Sequence, residues 1–288
     1  MASPSSDTAW RPSELELARR ATRRQQSTKS VLIALVSSVV FVVVVGWAIL
    51  SSPGWEDVRR SFFDLDIAIK SFPAILAGLW VNIQVLIVAA LAVAVLGTTL
   101  AVLRSLRGPV FFPLRALATV YTDLFRGIPL LIVLYLVGFG LPALGVFGRV
   151  PVVLWGTIAI VLTYSAYIAE VLRAGMEAVH PSQRVAARSM GLTHGQTLRI
   201  VVIPQGVRKV VPALMNDFVS MQKDVGLISV LGAVDAVRAA QISAAEYYNF
   251  TPYIVAALLF VAMALPMIRL TDYVSARLAK REQMGGIV

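Results

Sequence analysis

An all-α polytopic membrane protein with about six transmembrane helices is the fold class this sequence predicts, on three observations. The 288 residues are 58% hydrophobic and 15% charged, with mean hydropathy +0.77. A chain of that balance folded in water would leave much apolar surface uncovered, whereas lipid covers it. Five uncharged runs, Val31–Leu50, Ser71–Leu103, Gly127–Gly148, Val150–Ala169 and Thr251–Ile268, are long enough to cross a roughly 30 Å hydrocarbon layer. The basic residues fall in short blocks between the runs, as topology signals do.

The first run follows Arg19, Arg20, Arg23, Arg24 and Lys29. A signal peptide also begins this way, but the apolar stretch exceeds the usual core of about 7–15 residues, so a retained first helix is expected. The second run is too long for one straight crossing, and Pro73 and Gly78 predict a short entry segment before its main helix. The third is expected to begin its helix near Arg115 and to break around Gly138, Gly140 and Pro142. A sixth span, about Val211–Gly232, is interrupted by Asp217, Lys223 and Asp224, which require a protein-lined or aqueous surrounding and so predict that this helix faces the bundle interior.

Six crossings place residues 1–30, 104–118, 175–211 and 274–288 on one side with 17 Lys and Arg, against 5 in residues 51–70, 139–151 and 233–252. The richer side is cytoplasmic and carries both termini. The expected organisation is a cytoplasmic arm over 1–30, an additional helix over 31–50, a main domain over 70–275 with a cytoplasmic insertion over 176–211, and a cytoplasmic tail over 276–288.

The formal charge of +10 does not form the connected basic face that a nucleic-acid partner needs. Cysteine is absent, and His180 and His194 are far apart, so no thiolate or histidine-rich metal centre is expected. No H-E-x-x-H, G-x-S-x-G or G-x-x-x-x-G-K-[ST] pattern occurs, so the sequence offers no catalytic residues and no phosphate loop of its own.

In the insertion, Pro181 and Ser182 can begin a short helix, which Gly191 can end unless it serves instead to permit close backbone approach. Ala186 and Ala187 offer a low-bulk contact face, with Arg184 and Arg188 one turn apart outside it. A partner contact and a plain basic connector are both compatible with this pattern. Pro204 and Pro212 bracket a second short segment. On the sixth span, Asn216 and Lys223 share one face and Asp217 and Asp224 the next, as a passage lining or as an ion-pair network. Glu170 and Arg173 near the end of the Val150–Ala169 span carry the same two readings.

The chain resembles the permeases of bacterial polar amino-acid ABC importers. The resemblance lies in DLFRGIPLL at Asp123–Leu131, YIAEVLRAG at Tyr167–Gly175, PSQRVAARSMG at Pro181–Gly191, IPQGVRKVVPALMN at Ile203–Asn216 and KDVGLISVLG at Lys223–Gly232. It covers about residues 70–275 and implies the ABC importer transmembrane-domain fold in the bacterial inner membrane. It also implies a second permease subunit, two ATP-binding subunits that carry ATP and Mg, an extracytoplasmic solute-binding protein, and a polar or charged amino acid as cargo, with no cofactor on this chain. By the same resemblance Gln183, Arg184, Ala186, Ala187 and Gly191 belong to the element that couples to the ATPase. Val185 stands where an acidic residue is common, and Val225 and Gly226 replace a hydroxyl-bearing pair. Glu170, Asn216, Asp217, Lys223 and Asp224 remain candidates for the substrate pathway or for a structural polar network. A channel or scaffold without energised transport, or a secondary transporter, is the alternative class.

Overall fold

The computed structural model describes residues 13–106 and 108–285, all helix and connections. It divides into two units, Met1–Arg60 and Ser61–Val288. Residues 1–12 of the arm and 286–288 of the tail lie outside the described residues.

The first unit is dominated by α1 (Glu14–Leu50), which begins where the Ser13 hydroxyl accepts from the Glu16 amide at 3.3 Å. Glu14 and Glu16 complement the helix dipole there. From Val31 to Leu50 it is apolar on every side, the composition of a helix solvated by lipid. The short α2 (Trp55–Phe62) follows, its Glu56 paired with Arg59 and Arg60.

The second unit is built on α3 (Leu65–Ser105) and α7 (Val152–Glu177). The expected entry segment is not separate, because α3 runs unbroken through Pro73 for 41 residues, about 60 Å. A proline costs a helix one hydrogen bond and some crowding. Here the turn is held by the buried packing of Ile75 and Leu79 against Ala236 and Ala240. Gly78 does not break α3. It lets the helix touch the backbone of Asp235, where a side-chain carbon would come within 2.4 Å of the carbonyl carbon.

The third run also departs from expectation. α4 (Phe112–Gly127) begins near the predicted place, but the chain turns by 107° into α5 (Leu130–Tyr135) at Ile128 and Pro129. Ile128 is extended, as the residue before a proline prefers. Gly138 and Gly140 lie instead in a π-helical turn, Leu136–Gly140, that continues into α6 (Leu141–Ala143).

After α7 come α8 (Pro181–Ser189), α9 (His194–Thr197) with a Thr193/Gln196 capping box, and a π-helical turn at Leu198–Val202. Then α10 (Ile203–Asp224) passes into a 3-10 segment, Val225–Leu231. Pro204 and Pro212 do not bracket a short segment. Pro204 sits in the first turn of α10, directly after the π-helical turn, and Pro212 is inside the helix. Residues 233–252, expected as a loop, contain α11 (Ala236–Tyr247), whose Ala236, Ala239 and Ala240 are buried. The last helix is α12 (Thr251–Gly285).

Among the described residues four helices are long and apolar enough to cross a membrane, and up to six crossings result if each of two bent pairs is one span. The largest core cluster joins α3, α5, α7, α10 and the 3-10 segment around Leu134, Ile160, Val225 and Ile228. A third cluster, with Leu100, Met176, Val179, Ala187 and Val202, fixes the ends of α3 and α7 to the insertion.

Candidate functional site

Three groups of predicted residues fall in three places on the second unit. The first is α8. Its end forms a Schellman motif, the Gly191 amide donating to the Arg188 carbonyl at 2.9 Å and the Leu192 amide to the Ala187 carbonyl at 3.3 Å. Gly191 sits at φ +85°, with nothing within 4 Å of an added side-chain carbon. The position therefore demands glycine for its backbone, not for close packing inside this chain.

The pair Ala186/Ala187 does not form one outer face. Consecutive helical side chains point about 100° apart, so Ala187, at 1% exposure, packs into the bundle with Met176 and Val202 while Ala186 is exposed. Arg184 also turns inward and donates from Nη2 to the Met176 carbonyl at 2.6 Å. The outer face of α8 and its end is instead Gln183, Val185, Ala186 and Met190, the two larger apolar side chains 64% and 75% exposed.

The second group lies along α10. Asn216, Ser220 and Lys223 are exposed on one face, whereas Asp217 and Asp224 turn toward α7. The Tyr164 hydroxyl donates to Asp224 Oδ2 at 2.8 Å. Lys223 makes no ion pair among the described residues, so the ion-pair reading finds no support at this residue; Lys223 and Asp224 leave the helix in different directions. Asp217 lines a cleft of about 310 Å³ between α3, α7 and α10, walled by Thr98, Tyr164, Ile168, Phe218 and Met221. Its Oδ2 is buried without a hydrogen-bond partner among the described residues.

The third group centres on Glu170, which accepts from Arg104 Nη1 at 2.7 Å and from Arg173, with Arg126 Nη1 at 3.6 Å. Arg173 also pairs with Glu177. One carboxylate thus gathers the ends of α3, α4 and α7. Sequence reading found Glu170 and Arg173 but missed Arg104 and Arg126, whose separation in sequence gives no periodic signal. It also missed Asn82 and Asp235, both fully buried. Asn82 donates to Asp235 Oδ2 at 2.9 Å and accepts from the Ala236 amide at 3.0 Å, fastening α11 to the middle of α3.

These features, a bundle of helices apolar enough to cross a membrane with a polar helix face, an inward carboxylate and a small helix beyond its basic end, are those of a multi-pass membrane protein. Residues 108–280 match the family described as binding-protein-dependent transport system inner membrane component. A probable glutamine ABC transporter permease protein, GlnM, from Bacillus subtilis (strain 168) is 32% identical over 218 residues, 75% of this chain and 99% of the relative. The arginine transport system permease protein ArtQ of the same organism is 31% identical, over 70% of this chain and 91% of its own length. Among solved structures, one described as an amino acid ABC transporter with histidines superposes with a TM-score of 0.68 at 33% identity, covering 74% of this chain and 98% of that chain. The chain belongs to the family of inner membrane components of binding-protein-dependent transport systems.

Proposed function

We propose that this chain is one of two permease subunits, the second the same or a related chain, in an ABC importer that carries a polar or charged amino acid by alternating access, driven by ATP hydrolysis on separate subunits. Residues 70–275 form its permease domain. The observation that carries this reading is the exposed Asn216, Ser220 and Lys223 face of α10 within an otherwise apolar bundle. Such groups do not face hydrocarbon, so the face fits a protein-lined or aqueous surrounding, which a passage between this chain and a second permease subunit would supply.

Beside that face, the unpartnered Asp217 oxygen offers an acceptor for the cargo's ammonium group in a cleft whose other walls are apolar. The exposed face of α8 is the surface that receives the ATPase, and a solute-binding protein delivers cargo from outside. Cargo release inside requires that the two permease states hold it with different strength.

The test is uptake of the cargo that the solute-binding protein selects, by reconstituted transporter carrying Asp217→Asn. The isosteric amide removes the charge and keeps the volume. Uptake at subsaturating cargo should fall tenfold or more while assembly with the ATPase is unchanged. Unaltered uptake would remove Asp217 from the pathway.

A further inference from the structure

A second, polar cavity of about 410 Å³ lies at the basic end of the bundle, where the last turns of α3 and α7 meet α8 and α9. Arg104, Arg173, Glu177, Arg184, His194 and Leu198 line it. Arg104 is held by Glu170 and Arg184 by the Met176 carbonyl, each through one nitrogen, while Arg173 is held on two sides, by Glu170 and by Glu177. Fixing one nitrogen orients the fork and leaves further N–H donors for another acceptor, which suits a planar or tetrahedral oxyanion.

The charges do not cancel. Arg104, Arg173 and Arg184 line the cavity against one carboxylate, Glu177, and with Glu170, which pairs with Arg104 and Arg173, counted as well, one positive charge remains in excess. Arg104, its side chain only 11% exposed, has Glu170 as its counter-anion at 2.7 Å, whereas the partner of Arg184 is the neutral Met176 carbonyl, so the uncompensated charge falls to Arg184.

Met176, Val179 and Leu198 add apolar wall to the cavity. By the charge bias this end is cytoplasmic, the level at which basic pockets between membrane helices meet anionic headgroups. We propose that this cavity is an anion site that takes a phosphate group, carried by an anionic lipid headgroup or by free phosphate. Because its walls come from the bundle and from α8 together, an occupied site ties the position of α8 to α3 and α7. This role is separate from the cargo pathway at Asp217, and its test does not depend on transport.

The assembled transporter, purified in detergent and stripped of lipid, is titrated with phosphatidylglycerol, phosphatidylcholine and orthophosphate, and binding is read by native mass spectrometry. The expected result is one saturable phosphatidylglycerol site per permease copy, with phosphatidylcholine far weaker. Arg184→Gln removes a charge-assisted contact and should weaken that site about tenfold. Ser105→Asp, which places a carboxylate on the wall, should abolish it, while Arg184→Lys should retain part of it. Saturable orthophosphate binding with the same response to the variants would assign the site to the free ion. Binding that ignores all three substitutions overturns the proposal. So does a site present in the isolated permease and lost in the assembled transporter, since an ATPase side chain would then be its occupant.

Discussion

At the scale of single residues, the backbone requirement at Gly191 and the hydrogen bond at Asp224 make separable predictions. Gly191→Ala forces a side chain into the left-handed region at φ +85° and should destabilise the end of α8 by about 1–2 kcal/mol. Gly191→Asn should cost less, because asparagine tolerates that conformation. Affinity of the ATPase for the reconstituted permease should rank glycine, then asparagine, then alanine; equal affinities would show that the end of α8 is not read by the ATPase. Tyr164→Phe removes the donor to Asp224 and leaves a half-buried carboxylate without that partner. The purified complex should lose about 1 kcal/mol of stability, visible as a lowered unfolding temperature, with the α8 contact untouched. Of these residues Gly191 was legible, since a glycine after a short helix is a stop signal. Tyr164 was not, because a tyrosine within an apolar run looks like core until its hydroxyl is seen to reach another helix.

At the scale of elements, what the sequence revealed depended on whether the signal was local. Long apolar runs gave α1, α3, α7 and α12, and Pro181 with Gly191 bounded α8 to within a residue or two. Prolines misled wherever packing decides the outcome. Pro73 and Pro212 lie inside continuous helices, and the sharp turn of the third run is at Ile128 and Pro129 instead of at Gly138. α11 was missed because the segment after Gly232 is too short and too polar to cross a membrane and so reads as a connection, although its alanines and the Asp235 N-cap are local helix signals; its burial rests on Asn82 and Asp235, which meet only in the fold. For α8, the folded chain moves the candidate contact from Ala187 to Val185 and Met190. Met190→Glu should therefore weaken ATPase association at least tenfold while membrane insertion is retained. Ala187→Leu should act differently, by overpacking the junction with Met176 and Val202 and destabilising the permease itself. ATPase pull-down and thermal unfolding, run on both variants, distinguish a surface contact from a core defect.

At the scale of the whole molecule, the count of basic residues orients the bundle and the bent pairs permit six crossings. The native chain has no cysteine, so single substitutions give clean probes. Ser189→Cys should react with an impermeant maleimide only after membranes are opened, and Val146→Cys in intact cells; the reverse pattern would invert the orientation. Above topology stands the assignment of the driving force to a separate ATPase, and vesicles holding the assembled transporter and the cargo-loaded binding protein decide it. With ATP supplied to the α8 side, cargo should accumulate against its gradient, and the accumulation should persist when ion gradients are collapsed. Equilibration without ATP, or accumulation that follows an imposed ion gradient, would contradict an ATP-driven permease and make the chain a channel or a secondary transporter.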